Sequence, residues 1–552
     1  MVFFPVAPPP PHSTGAERRG VFVHHQHTAE HVIRHRAANH ITPASRFNAA
    51  AREAVSPESS CTAADLLREE LAILLIAHYS SLVGSLLCKP VGKLAHLLRT
   101  GLYDRCWPCN NTLPARYSDP AVSSPMDNSM RSFVTLMATA ILTMTADSHA
   151  DNWGHWRGPI GNGAAVNAHP PTEWSSTKNV KWKVEAPGRG SSSPVIWDNQ
   201  IFITTAVSGS PGGGRGSLPK LDFRLLCFNR ADAQLMWQQT AIVATPHQES
   251  HSTNGFASAS PCTDGQHVYA HFGSRGLYCF AMDGKLVWKR DDFGKMETRN
   301  SFGEGSSPTI EGDLILVPWD HEGPSALYAL NKLTGETIWK TDRDEPSCWA
   351  TPLIVDHPDG KQVIMNGQTC ARAYELKTGQ ELWRCGGQTE RPCASPVASD
   401  GIVFVGSGHK GSFLGAFRLT GKGDIQGTDN VVWTIDRDTP DIGSPLLSSG
   451  RIYFHKGKTG QLSCVDAATG KPFYMASRVP GLDNIYASPI AAGGYVYLTS
   501  RNGTTVVIKD AADLDVVATN SVDETVDATP AAVDNQLIIR GEQHLFCIEA
   551  AK

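Results

Sequence analysis

The chain has 552 residues, of which 41% are hydrophobic and 19% are charged, and its formal net charge at pH 7 is -5. This apolar fraction is large enough to form a sizeable core, which places the chain among the globular proteins. Acidic and basic residues are interspersed, and no basic stripe follows Ala150, so the charge pattern argues against a nucleic-acid partner.

Residues 1–129 do not have the pattern of a folded domain. They begin with the proline-rich run "PVAPPPPHST" and continue with a mixture of His and Arg that has no regular period. Leu71–Leu87 is apolar but interrupted by His78 and serines, which makes a marginal membrane helix at best. Cys106 and Cys109 have the spacing of a redox pair, but no βαβ pattern surrounds them. We expect residues 1–129 to be a low-complexity, disordered extension upstream of the true start.

Residues 130–150 have the pattern of a secretory signal peptide. One basic residue, Arg131, precedes an uncharged and mostly apolar run, and the segment ends on Ser-His-Ala, with small residues where a signal peptidase cleaves. The run is too short for a membrane span, which needs about 20 apolar residues. We therefore expect a start at Met126 or Met130, export to the periplasm or the medium, and no membrane span in the mature chain. A buried apolar element is the alternative interpretation.

A short motif recurs after a lead-in segment, residues 151–178. It consists of Ser or Thr followed by proline, and it opens a short apolar run, a tight turn and a β-branched run, which is the signature of a β-hairpin. Repeats in the forties are typical of four-stranded propeller blades, and the density of glycine and proline excludes two-helix repeats. The prolines are Pro194, Pro261, Pro308, Pro352, Pro396, Pro445, Pro489 and Pro530.

Two further strands complete each repeat. The third is a run such as "LYCFA" at Leu277–Ala281, and the fourth carries an aromatic residue after a glycine-containing turn. The eighth repeat lacks its fourth strand, and Asn179–Gly188, with Trp182 in the aromatic position, supplies the missing strand. We therefore predict an all-β, eight-bladed propeller over residues 179–552, closed by this N-terminal strand. The other aromatic positions are Trp237, Trp288, Trp339, Trp383, Trp433 and Phe473.

The cysteines after Ala150 form two groups. One group occupies the third-strand position at which other repeats have alanine, which predicts packed and buried thiols; its members are Cys227, Cys279, Cys464 and Cys547. The other group is close in sequence and supplies the candidates for a disulfide; its members are Cys370, Cys385 and Cys393.

The repeat consists of Ser/Thr-Pro, a hairpin, a strand such as "LYALN", Thr-Gly and Trp. This pattern resembles the pyrroloquinoline-quinone (PQQ) type of β-propeller repeat from about Trp153 to Lys552. Longer phrases, such as "NWGHWRGPIGNG" and "VYAHFGSRGLYCFAMDGKLVWKRD", are similar to a group of exported PQQ-like propellers of planctomycete-type bacteria. The resemblance implies the fold of the quinoprotein alcohol dehydrogenases.

Two characterised relatives imply different functions. The PQQ-dependent alcohol dehydrogenases hold the quinone over the propeller axis with a calcium ion, a catalytic aspartate and a disulfide between adjacent cysteines. This chain has no adjacent cysteine pair, so we assign no catalytic residue and no metal ligand, and the residues do not favour PQQ with calcium as a cofactor. The propeller lipoprotein of the outer-membrane assembly machinery binds other proteins, but Asp151 stands where a lipoprotein has its anchoring cysteine.

The links that join a fourth strand to the next first strand are rich in polar and aromatic residues. In propellers of this kind these links reach one face near the central channel, where such groups form a ligand site. The alternative is that they bond one another and bind nothing. The candidate ligand face consists of His251, Asn254, Arg299, Glu304, Trp349 and Tyr486.

One hairpin turn also has the residues of a metal site. Asp320-His321-Glu322 contains two carboxylates and an imidazole, but one loop supplies too few ligands, so we expect a solvated turn.

The sequence therefore predicts an exported, non-catalytic binding or scaffold module that recognises other proteins or a small ligand on one propeller face. The alternative is a PQQ-dependent dehydrogenase that acts on alcohols or sugars, and a glycan-binding propeller is a third hypothesis.

Overall fold

The computed structural model describes residues 152–209 and 218–551. Within these ranges the chain forms eight β-sheets and two 3₁₀-helices, Gly273–Arg275 and Arg299–Ser301. The predicted extension, 1–129, and the predicted signal peptide, 130–150, lie outside the described residues. No helix in the described part of the chain is long and apolar enough to cross a membrane.

Each sheet is one propeller blade of four antiparallel strands, as the repeat predicts. The first strand follows the Ser/Thr-Pro motif, and in several pairs of neighbouring blades the two first strands contact each other. The strands of blades 1 to 4, from first to fourth, are Val195–Trp197, Gln200–Ser208, Leu221–Asn229 and Leu235–Ala244; Cys262–Thr263, His267–His271, Leu277–Ala281 and Leu286–Arg290; Thr309–Glu311, Leu314–Trp319, Ser325–Asn331 and Thr337–Arg343; Leu353–Val355, Gln362–Met365, Ala371–Glu375 and Glu381–Cys385.

Blades 5 to 8 have the same organisation. Two short additional strands pair in parallel at sheet edges: Gly423–Asp424 with the fourth strand of blade 4, and Ala164–Ala165 with the first strand of blade 7. The strands of blades 5 to 8, from first to fourth, are Val397–Ser399, Ile402–Ser407, Phe413–Arg418 and Val431–Ile435; Leu446–Ser448, Arg451–His455, Gln461–Asp466 and Pro472–Arg478; Ile490–Ala492, Tyr495–Thr499, Thr504–Lys509 and Val516–Ser521; Ala531–Val533, Gln536–Arg540, His544–Ile548 and Val180–Glu185.

The N-terminal strand completes the last blade, which confirms the predicted closure. Val180–Glu185 pairs antiparallel with His544–Ile548 and places Trp182 opposite Cys547. The indole N–H of Trp182 then donates to the carbonyl oxygen of Arg230 in blade 1, over 2.9 Å. This strand therefore closes the propeller by connecting the last blade to the first.

Tryptophans of the fourth strands hold neighbouring blades together. The indole N–H of Trp237 donates to the carbonyl of Met282 in blade 2, and the ring lies on Gly284. Gly284 has a φ of +88°, and a Cβ there would lie 2.9 Å from the indole, so glycine meets both a conformational and a steric requirement. Blade 6 differs from the prediction: Tyr474 lies opposite Cys464, and Phe473 is exposed.

The Ser or Thr before each first-strand proline takes part in a chain of hydrogen bonds around the axis. The backbone N–H of each residue donates to the side-chain hydroxyl of its equivalent in the next blade, at 2.8–3.1 Å. Seven such bonds run from blade 1 to blade 8. The hydroxyl of Ser193 is buried and has no partner within the described residues. The seam between blades 8 and 1 therefore lacks the backbone-to-hydroxyl hydrogen bond that joins every other pair of neighbouring blades.

All nine described cysteines are free thiols. The four third-strand cysteines are buried, as predicted. The disulfide predicted among Cys370, Cys385 and Cys393 is not formed between these described residues. Cys385 lies in the fourth strand of blade 4, opposite Ala371, and Cys370 directly precedes Ala371. Cys393 lies in the following link, where its thiol contacts the carbonyl oxygen of Arg391.

The turn with Asp320 and His321 is buried, so the expectation of a solvated turn is wrong. Strand register places Arg343 opposite Ser325, and the Arg343 guanidinium donates to both carboxylate oxygens of Asp320, over 2.8 and 3.1 Å. Arg343 also donates to the hydroxyl of Tyr374 over 2.6 Å. The carboxylate is therefore committed to an internal ion pair.

Two buried histidines should make folding sensitive to acid. Burial lowers the pKa of His271 and of His455 from 6.5 to about 4. Because the folded pKa lies below the unfolded one, the stability that each group contributes is complete above about pH 6.5 and is lost as the pH falls towards 4. We expect a loss of about 3 kcal/mol per histidine across this window, measured by denaturant unfolding in a pH series.

The variant His455→Gln should flatten this pH dependence, because glutamine does not titrate. An identical acid slope in wild type and His455→Gln would contradict the assignment.

Candidate functional site

A cavity of about 420 Å³ lies on the propeller axis, on the face that carries the links. Its position follows from its lining, which includes the Ser/Thr residues before the first strands of six blades. These are Ser193, Ser260, Ser307, Thr351, Ser488 and Thr529.

Four of the six residues of the predicted ligand face line this cavity: His251, Asn254, Trp349 and Tyr486. Two of them are held by backbone atoms of one neighbouring link: the Asn254 amide donates to the carbonyl oxygen of Phe302, and the Trp349 indole donates to that of Gly303, both over 2.7 Å. The structure therefore brings most of the predicted side chains to one place, although they come from three different links.

Arg299 and Glu304 lie outside the cavity. Arg299 pairs with Glu322 at 3.2 Å and with Glu390 at 3.5 Å. Glu304 lines a smaller adjacent pocket, where it accepts the backbone N–H of Ser274 over 2.7 Å, and burial raises the pKa of its carboxyl group. Both side chains therefore bond to neighbouring hairpin turns or links and do not line the axial cavity.

Arg391 and His409 line the cavity and were not predicted from the sequence. The Arg391 guanidinium lies 2.8 Å from Nδ1 of His409 and 3.3 Å from each carboxylate oxygen of Asp441. It also lies over the ring of Phe302, 5.2 Å from the centroid. Arg391 is a single residue in a link of irregular sequence, so no repeat position indicates it.

Lys458 gives the cavity a surplus positive charge. Its ammonium group lies 5.3 Å from the ring centroid of Tyr486. The other lining charges are paired: Arg391 with Asp441, and Asp527 with Arg501 at 2.7 Å. Lys458 forms no ion pair with any carboxylate of the described residues, so its positive charge at the cavity wall is not neutralised by a neighbouring side chain.

The lead-in segment forms part of the wall of this cavity. Trp156 lines the cavity and also a second one, of about 440 Å³, which lies between the lead-in segment and blades 3 to 5. Arg157 holds the segment in place by donating to the carbonyl oxygens of Pro445 and Pro489, over 2.7 and 3.1 Å. Burial lowers the pKa of Arg157 to about 9. Trp156 therefore forms part of the wall of both cavities.

The donor set around the cavity does not fit a quinone held with calcium. Across residues 152–209 and 218–551, no group of three or more His, Cys, Asp or Glu side chains is placed to hold a metal ion. Asp527 lines the cavity, but Arg501 occupies both of its carboxylate oxygens. Cys393 also lines it, and burial raises the pKa of this thiol to about 12, so the neutral thiol is a poor nucleophile at pH 7.

Comparisons with known proteins agree with this architecture. A family model described as outer membrane protein assembly factor BamB matches residues 221–475, and no curated protein matches the chain. The solved structures that are similar include BamB from Moraxella catarrhalis, at 13% identity and a TM-score of 0.46, covering 67% of this chain and 99% of that chain. Quinohemoprotein alcohol dehydrogenase from Comamonas testosteroni, at 11% identity and a TM-score of 0.52, covers 74% of this chain and 82% of that chain. At 11% identity, the similarity to the quinohemoprotein alcohol dehydrogenase shows the fold alone.

Proposed function

Because this chain is a PQQ-like β-propeller, we propose that it is a non-catalytic binding module whose axial cavity takes a small, hydroxyl-rich anion such as a sugar acid. The observation that carries the proposal is the ammonium group of Lys458, which has no carboxylate partner in residues 152–209 and 218–551 and lies beside Tyr486 at the cavity wall. A charge-assisted hydrogen bond from such a group is stronger than a neutral one, so a carboxylate is the preferred partner.

The Ser/Thr ring supports a ligand with many acceptor atoms. The hydroxyls of Ser260, Ser307 and Thr351 each accept a backbone N–H from the preceding blade, so each retains its own O–H as a donor. These hydroxyls line the same cavity as Lys458. Trp349 and Phe302 add aromatic surface to the wall, and the combination of apolar walls with a few polar groups is typical of small-molecule sites.

Binding is favoured over quinone-dependent oxidation because, among the described residues, the carboxylate that lines the cavity, Asp527, is bonded to Arg501 and is not free to hold calcium. The experiment that separates the two functions is incubation with PQQ and calcium chloride, followed by desalting. Quinone absorbance retained by the protein, together with dye reduction by alcohols or sugars, would favour the dehydrogenase.

Replacing Lys458 by glutamine should weaken binding of D-glucuronate by about tenfold, which corresponds to about 1.4 kcal/mol. The measurement is isothermal titration calorimetry, with D-glucose as the uncharged probe and salt concentration held constant. The matched control is Lys456→Gln, because Lys456 lies two residues away and pairs with Asp438 at 2.7 Å. Absence of glucuronate binding to the wild type, or equal binding of glucose and glucuronate, would overturn the proposed ligand class.

We also propose that the module acts outside the cytoplasm, on the strength of the signal-like segment 130–150. The N-terminal residue of the protein recovered from cells tests this directly. Asp151 at the N-terminus is the expected result, and recovery of the intact upstream region would contradict export by this signal.

A further inference from the structure

We propose that the fourth strand of blade 1, Leu235–Ala244, pairs edge to edge with the same strand of a second copy of this chain. The proposal concerns the rim of the propeller and is independent of the axial cavity, so neither experiment depends on the other.

The strand is an open edge of unusual length. It contains 10 residues, more than any other strand in the described residues. One side pairs with Leu221–Asn229, and no strand of the described chain pairs with the other side. An edge of this kind presents a row of backbone N–H and C=O groups to another strand.

The other blades protect their fourth strands in ways that blade 1 does not. Those of blades 2, 3, 4, 6 and 8 contain charged side chains, and Gly423–Asp424 also covers the edge of blade 4. Those of blades 5 and 7 are uncharged but have only 5 and 6 residues, and Asp436 and Asp515 adjoin them directly. In blade 1, no Asp, Glu, Lys or Arg lies between Asp232 and Glu249. Charges on edges are a common defence against pairing, and this edge has none.

The order of side chains makes the strand complementary to itself. In an antiparallel pair centred on Gln239, apolar residues face apolar residues at both ends, and an amide faces a hydroxyl in the middle. The resulting pairs are Leu235 with Val243, Met236 with Ile242, and Gln238 with Thr240. A second copy is therefore the partner that this edge fits best, since a two-fold contact requires the same surface on both subunits.

Exposed apolar side chains surround the same edge. Leu235, Met236 and Val243 are 40–48% exposed, and the adjacent fourth strand of blade 2 begins with Leu286 and Val287, which are 53% and 47% exposed. Bulges at Met236 and Ala241 interrupt the ladder with Leu221–Asn229. Regular backbone pairing with a second copy is therefore limited to the central stretch around Gln239, and the apolar residues at the two ends contribute through their side chains alone. We therefore expect a weak, concentration-dependent dimer.

Sedimentation velocity over a concentration series tests the proposal. The wild type should show a monomer–dimer equilibrium, and joint replacement of Gln238 and Thr240 by lysine should raise the dimer dissociation constant by at least about tenfold, because lysines then face one another across the pair. Thr519→Lys, on the uncharged edge of blade 7, is the control and should leave the equilibrium unchanged. Thermal unfolding checks that each variant is folded.

A cysteine at position 239 gives an independent readout. Gln239→Cys should form a disulfide with its own copy under mild oxidation, because directly opposite residues have Cβ atoms about 4.5–5.5 Å apart, whereas Thr519→Cys should not. A wild type that stays monomeric at every concentration, a dimer that persists in the double lysine variant, or no cross-link at position 239 would overturn the proposal.

Discussion

Replacing Asp320 by alanine should lower the free energy of unfolding by about 3–5 kcal/mol, because it leaves the buried guanidinium of Arg343 without a counter-charge. The side chains of Arg343 and Asp320 are 0% and 1% exposed, and two hydrogen bonds join them. Chemical denaturation at pH 7 measures the change. The loss arises from the unpaired charge that remains, so it exceeds the net contribution of the ion pair itself.

The matched control is Asp342→Ala, next to Arg343 on the fourth strand of blade 3. Asp342 pairs with Lys340 at 2.6 Å, but their side chains are 83% and 42% exposed, so the expected change is below about 1 kcal/mol. A double variant, Asp320→Leu with Arg343→Met, should recover much of the lost stability because it removes both charges. If Asp320→Ala unfolds like Asp342→Ala, the ion pair is not buried as described.

Replacing Trp182 by alanine should cost about 3 kcal/mol and open the seam between blades 8 and 1. Trp182 attaches the closing strand to blade 1 by donating to the carbonyl oxygen of Arg230. This seam lacks the backbone-to-hydroxyl hydrogen bond that joins all other neighbouring blades. Blade 1 also has Ala233, with a φ of +65°, at the turn position where Gly284 and Gly335 stand in blades 2 and 3. Arg540 of blade 8 donates to the carbonyl oxygen of Ser192 over 3.0 Å, and Arg230 pairs with Asp534 at 2.8 Å. These contacts and Trp182 therefore hold the seam in place of the missing hydroxyl bond.

Trp288→Ala is the matched control, because Trp288 donates to the carbonyl oxygen of Lys332 over the same 2.9 Å between blades 2 and 3. We expect a smaller loss of stability and no release of the N-terminal strand. Limited proteolysis followed by mass spectrometry identifies release of residues before Pro187 in Trp182→Ala. Equal losses in both variants, without release, would show that the seam is as strong as an internal contact.

The blades could be predicted from the sequence because their determinants are local and repeated. Ser/Thr-Pro marks the first strand of every blade, the turn glycine and the fourth-strand tryptophan recur together, and Trp182 supplied the missing strand of the last blade. The repeat did not indicate why the small residue is Ser or Thr; the structure shows that its hydroxyl accepts a hydrogen bond from the blade before.

The cavity was only partly predictable, since its residues come from links that follow no repeat. Four link residues were found by their chemistry and their position ahead of a first strand. Arg391 and Lys458 were missed because each is one basic residue among many until the fold brings it to the axis. The pairing of Asp320 with Arg343 depends on strand register across a hairpin, which the turn sequence alone does not reveal.

Trp156 belongs to the walls of two cavities at the same time. Its side chain lines both the axial cavity and the cavity between the lead-in segment and blades 3 to 5. Replacing this one residue would therefore reshape both cavities together, so the lead-in segment ties the shape of one to the shape of the other.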